Sequence, residues 1–92
     1  MATTIDVLDV LKHPDGRLEF RFSDGTSDTY QSLDHARGVI AGLDTGTEAE
    51  AFVRRLVVAW FLARSADAAN VNLIKNKSLT WDLSAPSPLR VQ

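Results

Sequence analysis

From residue 47 to residue 67 the apolar positions recur at helical spacing, and the polar positions then run out. Ala49, Phe52, Val53, Leu56, Ala59, Trp60 and Ala63 fall on one face, opposite Arg54 and Arg55. Thr47 and Glu50 have the spacing of a capping box, which predicts a helix start at that point. Between residues 56 and 63 the sequence reads LVVAWFLA, so Val58, Phe61 and Leu62 point to the side of the arginines and cannot share the main stripe. An apolar trio of that kind has to be covered, either by the rest of the chain or by another subunit, because a sizeable uncovered apolar patch marks an interaction surface.

The first third alternates as strands do. His13-Pro14-Asp15-Gly16 suits a type I turn that ends in a left-handed glycine, closing a three-residue hairpin loop. Setting His13 opposite Arg17 then pairs Val10 with Phe20 and Leu8 with Phe22 on the core face, and Asp9 with Arg21 on the other. For the second hairpin, Asp24-Gly25 as a two-residue turn flanked by Ser23 and Thr26 places Asp28 opposite Arg21. A three-residue loop over residues 23–25 competes with it and puts Tyr30 rather than Thr29 in the core. Val7, Leu8 and Leu11 also fit helical spacing, so the first strand has a rival within its own sequence.

Ser32 can cap a helix from Leu33 to about Leu43, with Leu33, Ala36, Val39, Ile40 and Leu43 on one face. Gly38 and Gly42 weaken it by about 1 kcal/mol each relative to alanine. A short link over residues 44–46 leads into the second helix. Residues 67–70 read as a loop, and residues 70–78 as a polar stretch around Leu73 and Ile74. Leu79, Trp81 and Leu83 alternate with Thr80 and Asp82 as a strand over residues 78–83. Pro86 and Pro88 bias residues 84–92 to an extended arm whose tip carries Leu89 and Val91.

Ninety-two residues suffice for one domain burying about 60–65% of its unfolded surface. Without cysteine there is no disulfide and no thiolate metal site. The apolar run 56–63 is far short of a membrane span, and the N-terminal residues lack the pattern of a signal peptide. These features point to a cytoplasmic or virion location. The net charge of −2 conceals an asymmetry: residues 1–50 hold ten acidic and four basic side chains, residues 51–92 two acidic and six basic. The halves can pack on each other within one chain, or draw acidic and basic faces of two subunits together.

Candidate chemistry is sparse. His13 precedes a turn proline and His35 lies in a first helical turn, neither at a motif spacing from a carboxylate, serine or second histidine. The glycines do not form a phosphate-cradling loop. No catalytic, cofactor-binding or metal-binding residue is assigned, and no small-molecule substrate or membrane partner is expected. Arg54, Arg55, Arg64, Lys75, Lys77 and Arg90, with Trp81 to stack on a base, would support nucleic-acid binding only if all six cations shared one face.

The expectation is therefore an α+β fold, a small antiparallel β-meander packed against two helices. Residues 1–83 form the domain, and residues 84–92 an extended C-terminal arm. The function expected is that of a non-enzymatic assembly protein with protein partners, its own copies or other subunits, most readily a small bacteriophage head or tail component. Val58, Phe61, Leu62, Trp81, Leu83, Leu89 and Val91 are its candidate interface. A cytoplasmic regulatory or adapter domain is the alternative, with a nucleic-acid binder behind it.

Overall fold

The computed structural model describes residues 2–65 and 71–92. It shows an α+β fold. The strands β1 (Thr3–Lys12), β2 (Leu18–Phe22), β3 (Ser27–Tyr30), β4 (Ser78–Trp81) and β5 (Leu89–Val91) form one antiparallel sheet in the order β3-β2-β1-β4-β5. Helices α1 (Leu33–Ala41) and α2 (Glu50–Arg64) supply the second layer, with α2 packed on β1 and β4 and against α1. Long β1 joins the halves: its first residues pair with β4 and its later ones with β2.

The first hairpin closes as its sequence dictates. The His13 N–H donates to Arg17 O, the Gly16 N–H donates to His13 O, and Gly16 takes a positive φ of 96° that a side chain would resist. Val10 pairs with Phe20 and Asp9 with Arg21. One step further the register shifts, and Val7 instead of Leu8 lies opposite Phe22. Leu8 is thus the extra residue of a β-bulge and is 54% exposed, which corrects its expected place in the core. The bulge changes the phase of the strand, so Ile5 and Val7 before it and Val10 after it all face inward. Asp9 secures the irregularity: its Oδ1 accepts the Val10 N–H at 2.9 Å and lies 3.8 Å from Lys75 Nζ.

The second hairpin takes the three-residue loop. The Phe22 N–H donates to Thr26 O, and Gly25 sits at φ 89°. Asp24 Oδ1 accepts from both the N–H and the hydroxyl of Thr26, which holds its carboxyl below the usual range. Tyr30 is consequently buried opposite Leu18, and Asp28 lies opposite Phe20 on the helix side. The expected pairing of Asp28 with Arg21 is corrected. Arg21 donates from Nε to Glu19 at 2.6 Å, and Asp28 is approached by Arg54 of α2 at 4.0 Å.

Ser32 caps α1, its hydroxyl accepting the His35 N–H at 3.0 Å. The capping box expected for α2 does not form. The helix starts at Glu50 with Ala49 as an unassisted cap, because Thr47 turns its hydroxyl to the Ala49 N–H and its carbonyl to the indole N–H of Trp81. The helix also presents a different face from the one its stripe suggested. Phe52, Val53, Val57, Val58 and Phe61 enter the core, while Leu56, Trp60 and Leu62 are half-buried and Ala63 is exposed. A segment that is apolar on nearly every side does not fix its own rotation, and the sheet takes the face with the two valines and Phe61.

Beyond α2 the described chain resumes with a short 3-10 turn, Val71–Leu73, which delivers Ile74 into the core fully buried. The loop expected at residues 67–70 lies outside the described residues. Strand β4 ends at Trp81, short of the expected Leu83. The segment expected as an arm turns back, with Leu79 paired to Val91 and Trp81 to Leu89, and becomes the edge strand β5. Charges of the two halves meet within the chain, Arg54 with Asp28 and Lys75 with Asp9. Among the described residues no helix is long and apolar enough to cross a membrane.

Candidate functional site

The seven residues singled out for an interface divide in two. Val58 and Phe61 are fully buried in the single chain, Phe61 against Phe20, so neither can touch another subunit; this corrects their assignment. Leu62 is half-buried at the margin of the same core. The other four cluster at the far edge of the sheet. Trp81 packs its ring on Phe52 at 5.7 Å, Val91 is half-buried beside Leu79, and Leu83 and Leu89 remain exposed at 42% and 39%.

Hydrogen bonding fixes what this edge offers. Ser78 and Gln92 exchange both backbone bonds at 2.9 Å, and the Asp82 N–H donates to Pro88 O at 2.9 Å. In an antiparallel ladder such pairs alternate with non-bonded ones, so Leu89 and Val91 turn their N–H and C=O groups away from β4 toward the open edge. The turn before β5 is held by Asp82, whose Oδ1 accepts from the N–H and hydroxyl of Ser84 and whose carboxyl is lowered by those bonds.

The opposite edge is β3. Because Phe22 bonds Thr26, the same alternation turns the backbone groups of Ser27 and Thr29 outward. They border an open cleft of about 360 Å³, walled by His35 and Val39 of α1 and Arg55 of α2. Tyr30 Oη is buried there with no hydrogen-bond partner of acceptable geometry. Burial and then the nearby Asp28 push the phenol up, while the Arg55 guanidinium pulls it the other way. The Asp28 carboxyl is likewise raised by burial, against the pull of Arg54 and Arg55. His35 Nδ1 accepts the Gln31 N–H at 3.3 Å, which places the proton of the neutral ring on Nε2. This cleft was missed in the sequence because its residues come from three elements, and only the second hairpin's register turns Tyr30 toward it.

The six cations of the C-terminal half do not share a face. Arg54 sits beside β3 and bridges to Glu50 at 3.8 Å, Arg90 lies on β5 at the other edge, and Arg64 stacks over its own helix neighbour Trp60 at 4.1 Å. His13 is occupied at the outer face of the sheet, where its Nε2 and Arg21 Nε share the carboxylate of Glu19 and hold it below its usual range. Among the described residues no three His, Asp or Glu side chains converge as a metal site. Comparison of the chain with protein-family models, with curated proteins and with solved structures gave no match.

Proposed function

We propose that this chain is a non-enzymatic assembly component that docks into a larger complex by accepting a strand on β5. The observation that carries the reading is the open β5 edge, which presents the backbone groups of Leu89 and Val91 next to two exposed leucines, Leu83 and Leu89. Backbone bonds along such an edge supply affinity, and side chains at alternate positions supply selectivity. Strand addition thus shifts from residues 78–83, of which β1 and β5 enclose 78–81, to residues 89–91.

The partner is an extended strand of a different subunit rather than a second β5. Two antiparallel β5 strands bonded through Leu89 and Val91 would set Arg90 directly against the partner's Arg90, a destabilising pairing of like charges. A partner strand with an acidic residue at that point, flanked by apolar ones, satisfies both Arg90 and the leucines. A bacteriophage head or tail is the setting we propose, supported by analogy of architecture alone.

Leu89→Pro tests the proposal. It removes an outward N–H and leaves the β4–β5 ladder intact, since the inward bonds belong to Pro88, Arg90 and Gln92. In pull-downs from the source virion or cell extract, the wild-type chain should retain a partner that Leu89→Pro loses at unchanged thermal stability. Equal retention by both would overturn the assignment of β5.

A further inference from the structure

We propose that the cleft between β3 and α1 binds an extended peptide segment bearing a carboxylate, the peptide adding to β3 as a further strand while Arg55 holds its acidic group. The site is separate from the β5 edge, since the two strands lie at opposite ends of the sheet. Three features converge on this ligand class. The outward N–H and C=O groups of Ser27 and Thr29 line the cleft and are spaced as a strand requires. Arg55 is exposed, makes no ion pair among the described residues, and stands on the wall facing that strand. Tyr30 is buried in the lining, its hydroxyl beside the Arg55 guanidinium and without a hydrogen bond of acceptable geometry, so a move of Arg55 onto a bound carboxylate would open the hydroxyl to donate to the same group.

The balance of charge favours an acceptor. Arg55, Tyr30 Oη and the Nε2–H of His35 are all donors, and a planar carboxylate matches the fork of a guanidinium. Asp28 is the one carboxylate in the lining; Arg54 approaches it from α2 at 4.0 Å, whereas Arg55, which also acts on Asp28 through its charge, forms no ion pair with it and can turn its guanidinium to a ligand. The open shape favours a peptide over a small acid. A volume of about 360 Å³ stands near the bottom of the ~300–1,000 Å³ found for small-molecule pockets, and part of the wall is sheet edge rather than side chain. Val39 adds an apolar contact for the residue beside the acidic one.

The experiment is a titration of the full chain, followed by amide chemical shifts, with a short capped peptide in which valine and threonine alternate around one glutamate. Its glutamine counterpart and sodium acetate are titrated in parallel. The expected result is shifts at the Ser27 and Thr29 amides, with affinity lowered about tenfold by the glutamine peptide and to a similar degree by Arg55→Gln. Tyr30→Phe, which keeps the ring in the core, should also weaken binding. Acetate moving the same resonances as tightly as the peptide would replace the peptide site by a small-anion site. Shifts confined to Leu89 and Val91, peptide binding unchanged in Arg55→Gln, or no shift at about 1 mM peptide would each overturn the proposal.

Discussion

Phe61 of α2 meets Phe20 of β2 edge to face, with ring centroids 5.6 Å apart and planes at 78°. Both rings are fully buried, and Tyr30 adds a second edge contact to Phe20 at 6.1 Å. This aromatic row ties the helix layer to the sheet at the point where β3 forms the edge. Such pairs contribute about 0.5–1.5 kcal/mol beyond the area they bury. Phe61→Ala should therefore cost about 3–5 kcal/mol, a large share of the 5–15 kcal/mol that holds a typical domain folded. Urea denaturation should show a much lower midpoint. A variant that unfolds as the wild type does would remove Phe61 from the core.

The fold class was legible in the sequence because turn chemistry is local. His13-Pro14-Asp15-Gly16 and Ser32 each act on atoms within a few residues, and both elements formed as read. What could not be read depended on distant partners. Leu8 leaves the core because β1 must serve β4 with one phase and β2 with the other, a demand invisible within the strand. The rotation of α2 was misread because its apolar residues fill two overlapping stripes, and the sheet selected Val57, Val58 and Phe61. Ile74 stood in a polar stretch without periodicity, so nothing local announced its burial. Of the candidate interface, Leu83 and Leu89 are exposed, whereas Val58 and Phe61 lie in the chain's own core and Leu62 is half-buried at its margin.

The bulge at Leu8 separates a side chain that contributes little from a backbone position that is essential. Leu8→Ser exposes no new cavity and should leave stability within about 0.5 kcal/mol of wild type. Deleting Leu8 is a different change. It removes the phase switch, so that Ile5 and Val7 can no longer face inward together with Val10, and a one-residue slip reverses every side chain on the affected strand. The substitution should keep a cooperative thermal transition and the deletion should abolish it.

Trp81 anchors the segment that leads into α2, whose N-cap Ala49 has no side-chain hydrogen bond of its own. Its indole N–H donates to Thr47 O at 3.0 Å, and the Thr3 hydroxyl donates to Glu48 O at 2.5 Å, so the sheet fastens the entry to α2 from two sides. Trp81→Phe retains most of the contact with Phe52 and loses the hydrogen bond, at a cost of about 1 kcal/mol. The loss should appear locally. Amide exchange at Val53, which bonds Ala49 O in the first helical turn, should accelerate more than exchange at Val10 in β1. Uniform acceleration would mean that the bond supports the whole fold and not the helix start.

Asp28 gives a dependence on pH with a sign opposite to that of four other carboxylates. Asp15, Glu19, Asp24 and Asp82 are held below their usual ranges, so their contribution is present at neutral pH and fades as acid protonates them. The Asp28 carboxyl is raised above the ordinary 3.8 by burial on the helix side, with Arg54 and Arg55 opposing the shift incompletely. Its folded form therefore binds a proton more readily than its unfolded form. The stability this contributes is complete below about pH 3.8 and is lost as pH rises through the folded value. Asp28→Asn, neutral throughout, should consequently be more stable than wild type at pH 7, and the advantage should vanish at low pH where both side chains are uncharged. Urea midpoints for the two proteins at neutral and acidic pH measure the difference. An advantage that persists undiminished into acid would show that packing, and not the buried charge, separates them, whereas a variant less stable at pH 7 would show that the approach of Arg54 outweighs the cost of burying the carboxylate.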